Sequence, residues 1–263
     1  MILERFNTIV FVGDEIAQSI YAAFNILLRE DLGLGGLQEW IMTDQNRSNC
    51  KCDNQFLNQD CLRYAIKKSD EVKKNKAGSD RKGSLYFCES RLLSLKHLNI
   101  GILLRHLGIP HAYVRVESVP ASISSQTLFK DLTYSKPNPW QPSPLIFSFS
   151  HSSSFDTATI TRALEEWCIL ATGAERNIPM LFLGSPAFGL NKAPAIAPRE
   201  GNAAVWQFQE QIAGIAKNNQ FDVLSLYNLT IQASTPDGEH FGEKVALVEA
   251  MMVINWLSKL DTS

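Results

Sequence analysis

Six short, nearly unbroken apolar runs, each closed by a polar break, constrain this chain most. They are TIVFVG (8–13), SLYFCE (84–89), AYVRVE (112–117), PLIFSFS (144–150), PMLFLG (179–184) and FDVLSLY (221–227). A strand with one face in water alternates apolar and polar residues, whereas a strand covered on both faces does not. Helix-like stretches separate these runs. Residues 15–30 form one; RLLSLKHLNIGILLRHLG (91–108) forms another, with Gly108 and Pro110 as stop signals. DTATITRALEEWCILATG (156–173) opens on an Asp that can cap it, and 202–218 and 242–260 complete the set. Strands alternating with helices imply an α/β fold, with a mostly parallel sheet between two layers of helices. Ligands of such folds gather beyond the carboxyl ends of the strands.

The 263 residues are read as one domain spanning 1–263, with enough apolar content for a sizeable core. A net charge of -2 gives no reason to expect nucleic acid or an anionic membrane surface as partner. The longest apolar stretch, VALVEAMMVINWL, is too short and too interrupted by Glu and Asn to span a bilayer. The first strand begins almost at Met1, which leaves two locations open: the cytosol, or a secretory lumen if a leader has been removed. Two segments stand apart. Residues 66–83 carry seven basic and three acidic side chains and read as a mobile, solvated loop; YSKPNPWQPSP (134–144) reads as a stiff connector.

Three of the five cysteines crowd into CKCDNQFLNQDC, without paired CxxC units or a nearby histidine, so a zinc site is not expected. In an oxidising lumen Cys50 or Cys52 could bridge to Cys61 or Cys88; elsewhere all would stay thiols. NRS at Asn46 and NLT at Asn228 are glycosylation sequons. No phosphate loop, dinucleotide fingerprint or metal-ligand cluster is visible, and the expected chemistry is cofactor-free.

Polar groups with chemical potential stand where strands end. Asp14 and Glu15 follow the first run, and His151 follows PLIFSFS among Ser148, Ser150 and Ser152. PDGEHFG (236–242) then sets Asp237 and His240 just ahead of the last helix. In Asp-x-x-His the carboxylate can fix the imidazole's tautomer and leave its other nitrogen to a reacting group, although Asp237 could equally be a helix cap. His151, Ser150, Ser152 and Asp14 are candidates for touching substrate. Trp167, Trp206 and Trp256 read as core, and Arg199 as surface.

FVGDEIAQSIYAAFNILLRE at the start and LTIQASTPDGEHFGEKVALVEAMMVINWL at the end, with MLFLGSPAFG and FDVLSLYNLT between them, resemble the SGNH (GDSL-type) hydrolase superfamily. Within it the resemblance is to the PC-esterase and fungal capsule-acetylation type. It implies a three-layer α/β/α sandwich of about five parallel strands. It also implies that Asp237 and His240 form a dyad activating a serine, which is acylated and then released to water or a sugar hydroxyl. A small-molecule or carbohydrate ester substrate follows as an expectation.

The position of that serine is held here by Glu15, and the block that would supply an oxyanion hole reads SFSHSSS rather than GxND. Ser19 starts about 6 Å further along a helix axis, too far to replace it. Glu15 therefore has three chemical roles open to it. It could be a nucleophile forming an ester intermediate. It could be a general acid or base, its pKa raised by burial and by Asp14. Or it could be a charge partner that keeps His240 protonated in a binding site without turnover.

Overall fold

The computed structural model describes residues 5–29, 32–74, 110–134, 140–188, 201–233, 235, 238 and 240–261. The run at 84–89, the helix expected at 91–108, Arg199 and Asp237 lie outside the described residues. Among the described residues five strands form one parallel sheet: β1 (Ile9–Gly13), β2 (His111–Arg115), β3 (Leu145–Ser148), β4 (Met180–Leu183) and β5 (Phe221–Leu224). Their spatial order is β2-β1-β3-β4-β5. Each strand overlaps one of the apolar runs, with His111 and Arg115 at the ends of β2 and Asp222 inside β5, and every residue of β1, β3 and β4 is buried.

Five long helices cover the sheet: α1 (Glu15–Arg29), α2 (Ile123–Thr133), α3 (Thr157–Thr172), α4 (Asn202–Asn218) and α5 (Glu243–Lys259). The period-two geometry of a strand divides β1 between two cores. Val10 and Val12 face a cluster with Phe129 of α2, Trp167 of α3 and Ile212 of α4. Ile9 and Phe11 face the other, with Ile20 and Phe24 of α1 and Ala250 and Val253 of α5. The α/β/α sandwich with five parallel strands is thus the architecture observed.

Local differences from expectation have physical reasons. Residues 66–74 are not a free loop: Ile66 is buried, Ser69–Lys74 is helical, and the Tyr113 amide donates to the Lys67 carbonyl at 2.9 Å. Residues 75–83 of that expected loop lie outside the described residues. Trp206 is 40 % exposed, its ring 5.2 Å from that of Tyr227, so it belongs to the surface; Trp167 is wholly buried, as expected. Cys50 and Cys61 form a disulfide, one of the pairings that the sequence left open. No described helix is long and apolar enough to cross a membrane.

Candidate active site

The chain leaves β1 and moves to opposite sides of it to build β2 and β3, so a crevice opens above the carboxyl ends of β1 and β3. In doubly wound sheets this switch point is where ligands bind. Gly13 ends β1 with φ +143°, a conformation that side chains rarely adopt, and it brings the turn against the Ser148 backbone. The Asp14 amide donates to the Ser148 carbonyl at 3.1 Å, and the Tyr113 hydroxyl donates to the carbonyls of Gly13 (2.9 Å) and Asp14 (3.1 Å). The turn that launches α1 is therefore fixed from both neighbouring strands.

Asp14, expected as a substrate contact, is turned into the protein. It is 3 % exposed, and its carboxylate accepts from three backbone amides: Ile16 (3.2 Å), His151 (3.0 Å) and Ser152 (3.1 Å). It ties the turn after β1 to the turn after β3. Burial pushes its pKa up, against the pull of those amides and of the His151 ring. Ser150 is also fully buried, and the Ser152 amide donates to Asp14. Neither is among the residues that line the small hollow beside Glu15.

Glu15 and His240 do converge. Glu15 is the first residue of α1, His240 lies three residues before α5, and the imidazole Nε2 stands 3.2 Å from Glu15 Oε2. The two side chains retain 45 % and 28 % exposure respectively, so the pair is open to solvent on one side. The His151 ring is 6.4 Å from that of His240 and lines the same small hollow, of ≈ 30 Å³, with Ser19, Pro186 and Glu249. That volume holds one or two waters.

The electrostatics of Glu15 reverse the expectation from sequence. The hydrogen bond from His240 lowers its pKa below the usual carboxylate range, and the charges of His151, His240 and Arg115 add to that effect. Desolvation opposes it but is the weaker influence at a half-exposed position. Glu15 is thus a carboxylate throughout neutral pH and cannot itself be a proton donor there.

Glu249 escaped the sequence reading, where it served only as a charge interrupting an apolar stretch. Its signal was the helical period: Ala246, Glu249, Ala250, Val253 and Leu257 are all buried on one stripe of α5. Among the described residues no group of histidine, cysteine and acidic side chains could hold a metal ion.

The sequence matches no protein-family model and no curated protein. Two solved structures are similar to parts of the chain. A carbohydrate acetylesterase from Sinorhizobium meliloti is 10 % identical with a TM-score of 0.38, over 59 % of this chain and 79 % of that one. A peptidoglycan O-acetylesterase is 18 % identical with a TM-score of 0.33, over 44 % of this chain and 37 % of its own.

Proposed function

We propose that this chain is an enzyme that uses carboxylate–imidazole chemistry on a small organic substrate, with carbohydrate and small esters the first class to test. The observation that carries this reading is the 3.2 Å contact between Glu15 Oε2 and His240 Nε2 at the switch-point crevice. With Glu15 ionised, the imidazole can carry a proton to or from the substrate while the carboxylate stabilises its charged form, the division of labour of carboxylate–histidine pairs. His151 is proposed to donate a hydrogen bond to substrate; Asp237, outside the described residues, is proposed to hold the second ring nitrogen in the alternative reading below, where a serine at residue 15 would take the place of the Glu15 contact. Acetyl esters of sugars and of simple alcohols are the substrates to screen. Glu15→Ala and Glu15→Gln are expected to lose at least about 100-fold in kcat/KM with KM little changed. Full activity in Glu15→Ala would remove the proposal.

A second reading is supported by the position of Glu15 on the first turn of α1, directed at an imidazole, which is where a serine nucleophile and its base would stand. In that reading the chain is an O-acetyl esterase or acetyltransferase scaffold whose nucleophile is replaced. Glu15→Ser would then gain turnover of acetyl esters that the parent chain lacks, accompanied by covalent labelling with a serine-directed phosphonate. If the parent turns over no ester and Glu15→Ser stays inert and unlabelled, both readings give way to a binding pocket.

A further inference from the structure

When the imidazole of the Glu15–His240 pair takes a proton from the attacking group, a second group must give one to the departing oxygen. The packing of α5 on α1 holds a candidate. The buried stripe of α5 is apolar at Ala246, Ala250, Val253 and Leu257, each no more than 1 % exposed. Glu249 sits on that stripe at 5 % exposure, where an alanine or leucine would pack without cost. Glu249 is among the residues that line the hollow, and burial alone shifts its pKa, with no hydrogen bond or neighbouring charge contributing. The other charged and titratable residues that line the hollow are Glu15 on α1, His240 ahead of α5 and His151 after β3. A buried carboxyl without a partner is a standing cost to the fold, and such costs collect at functional sites.

We propose that Glu249 is the proton donor of the site, the acid counterpart of the Glu15–His240 pair, and that it serves an oxygen of the substrate. Burial pushes its pKa to about 8, while the hydrogen bond from His240 holds that of Glu15 down. Two carboxyl groups in one hollow, driven in opposite directions, divide into an acid and a permanently charged partner. In the step, the Glu249 O–H bond breaks as an O–H bond forms on the departing or carbonyl oxygen. The Glu15–His240 pair takes a proton from the attacking water or hydroxyl. The protons balance, and exchange with solvent restores both groups. The proposal rests on the carboxylate–imidazole reading and adds the direction of proton flow.

The test uses the full chain and Glu249→Gln, with Glu249→Leu as a packing control. Infrared spectroscopy of the folded protein in heavy water reads the carboxyl proton directly. A protonated-carboxyl band is expected at pH 6, lost as the pH passes about 8 and missing from Glu249→Gln. Loss of that band in the ordinary carboxylate range overturns this proposal and leaves the Glu15–His240 reading standing. Kinetics then uses phenyl acetate and ethyl acetate, whose leaving oxygens differ in their need for a proton. Glu249→Gln is expected to lose about 100-fold or more on ethyl acetate and less than about 10-fold on phenyl acetate. Equal losses on both esters, or none, would overturn the assignment as proton donor. A band that behaves as expected in a chain that turns over neither ester would overturn the Glu15–His240 reading for esters, and the catalytic role of Glu249 with it.

Discussion

At Gly13 the chain leaves β1 with φ +143°, and a Cβ built there would stand 1.7 Å from the Ser148 carbonyl oxygen. That oxygen is backbone and cannot rotate aside, so any side chain must part β1 from β3 or move the turn that carries Asp14 and Glu15. Gly13→Ala is accordingly expected to destabilise the fold by on the order of 4 kcal/mol, measured by denaturant unfolding. An effect under about 1 kcal/mol would mean that the turn has slack that this geometry denies it. Residue by residue, the site was only partly legible. Glu15 and His240 are 225 positions apart, and nothing local pairs them; only the resemblance of the two terminal blocks brought them together. Asp14 misled because burial is not written in a Gly-Asp-Glu turn: its acidity suggested a substrate contact, while three backbone amides consume it.

The elements behind the site are joined by contacts that no periodicity reveals. The amide of Glu243, the first residue of α5, donates to Asp53 Oδ1 at 2.7 Å, so this helix is capped by a residue almost two hundred positions earlier. Asp53 lies between Cys50 and Cys61, whose disulfide closes the segment around it. The Gln55 side chain accepts from the Gly36 amide (3.1 Å) and donates to the Gly33 carbonyl (3.1 Å), which fixes the same segment to the loop after α1. The segment therefore sets where α5 begins, three residues after His240. Asp53→Ala removes a helix cap and is expected to cost about 1 kcal/mol by thermal unfolding. It should also shift the imidazole resonances of His240 in NMR spectra; unchanged resonances would show that the cap and the site are independent. Continuous apolar runs made the strands legible, because both faces of this sheet are covered. Helix α2 was not: in ISSQTLFKDLT only Phe129 and Thr133 are buried, so too few apolar residues recur to mark a face. Its start carries a signal even so, since the Ser122 hydroxyl accepts from the Ser125 amide at 3.1 Å, a serine N-cap that a search for apolar faces passes over.

For the molecule as a whole, the same carboxyls that would perform chemistry shape stability against pH. Glu15 has its pKa lowered from 4.5, so its contribution is present above that value and is lost as the pH falls through the lower folded value. Glu249 has the opposite sign. Its folded pKa of about 8 lies above the unfolded 4.5, so its contribution is complete below about 4.5 and is lost as the pH rises through about 8. Asp14, also raised by burial, shares the second sign. The fold should therefore be most stable in mildly acidic solution and weaken towards pH 8. Subtracting the melting curve of Glu249→Gln from that of the parent isolates one group, since every other carboxyl is common to both. The full difference between pH 4.5 and pH 9 is on the order of 4 kcal/mol at one pKa unit per 1.36 kcal/mol. In a chain of this size that corresponds to about 10 °C in Tm, with Glu249→Gln gaining on the parent as the pH rises. The glutamine's own burial cost does not depend on pH, so it offsets the two curves without bending either. Parallel curves would mean that Glu249 ionises in the folded protein as readily as in water, and the hollow would then hold two carboxylates and no acid.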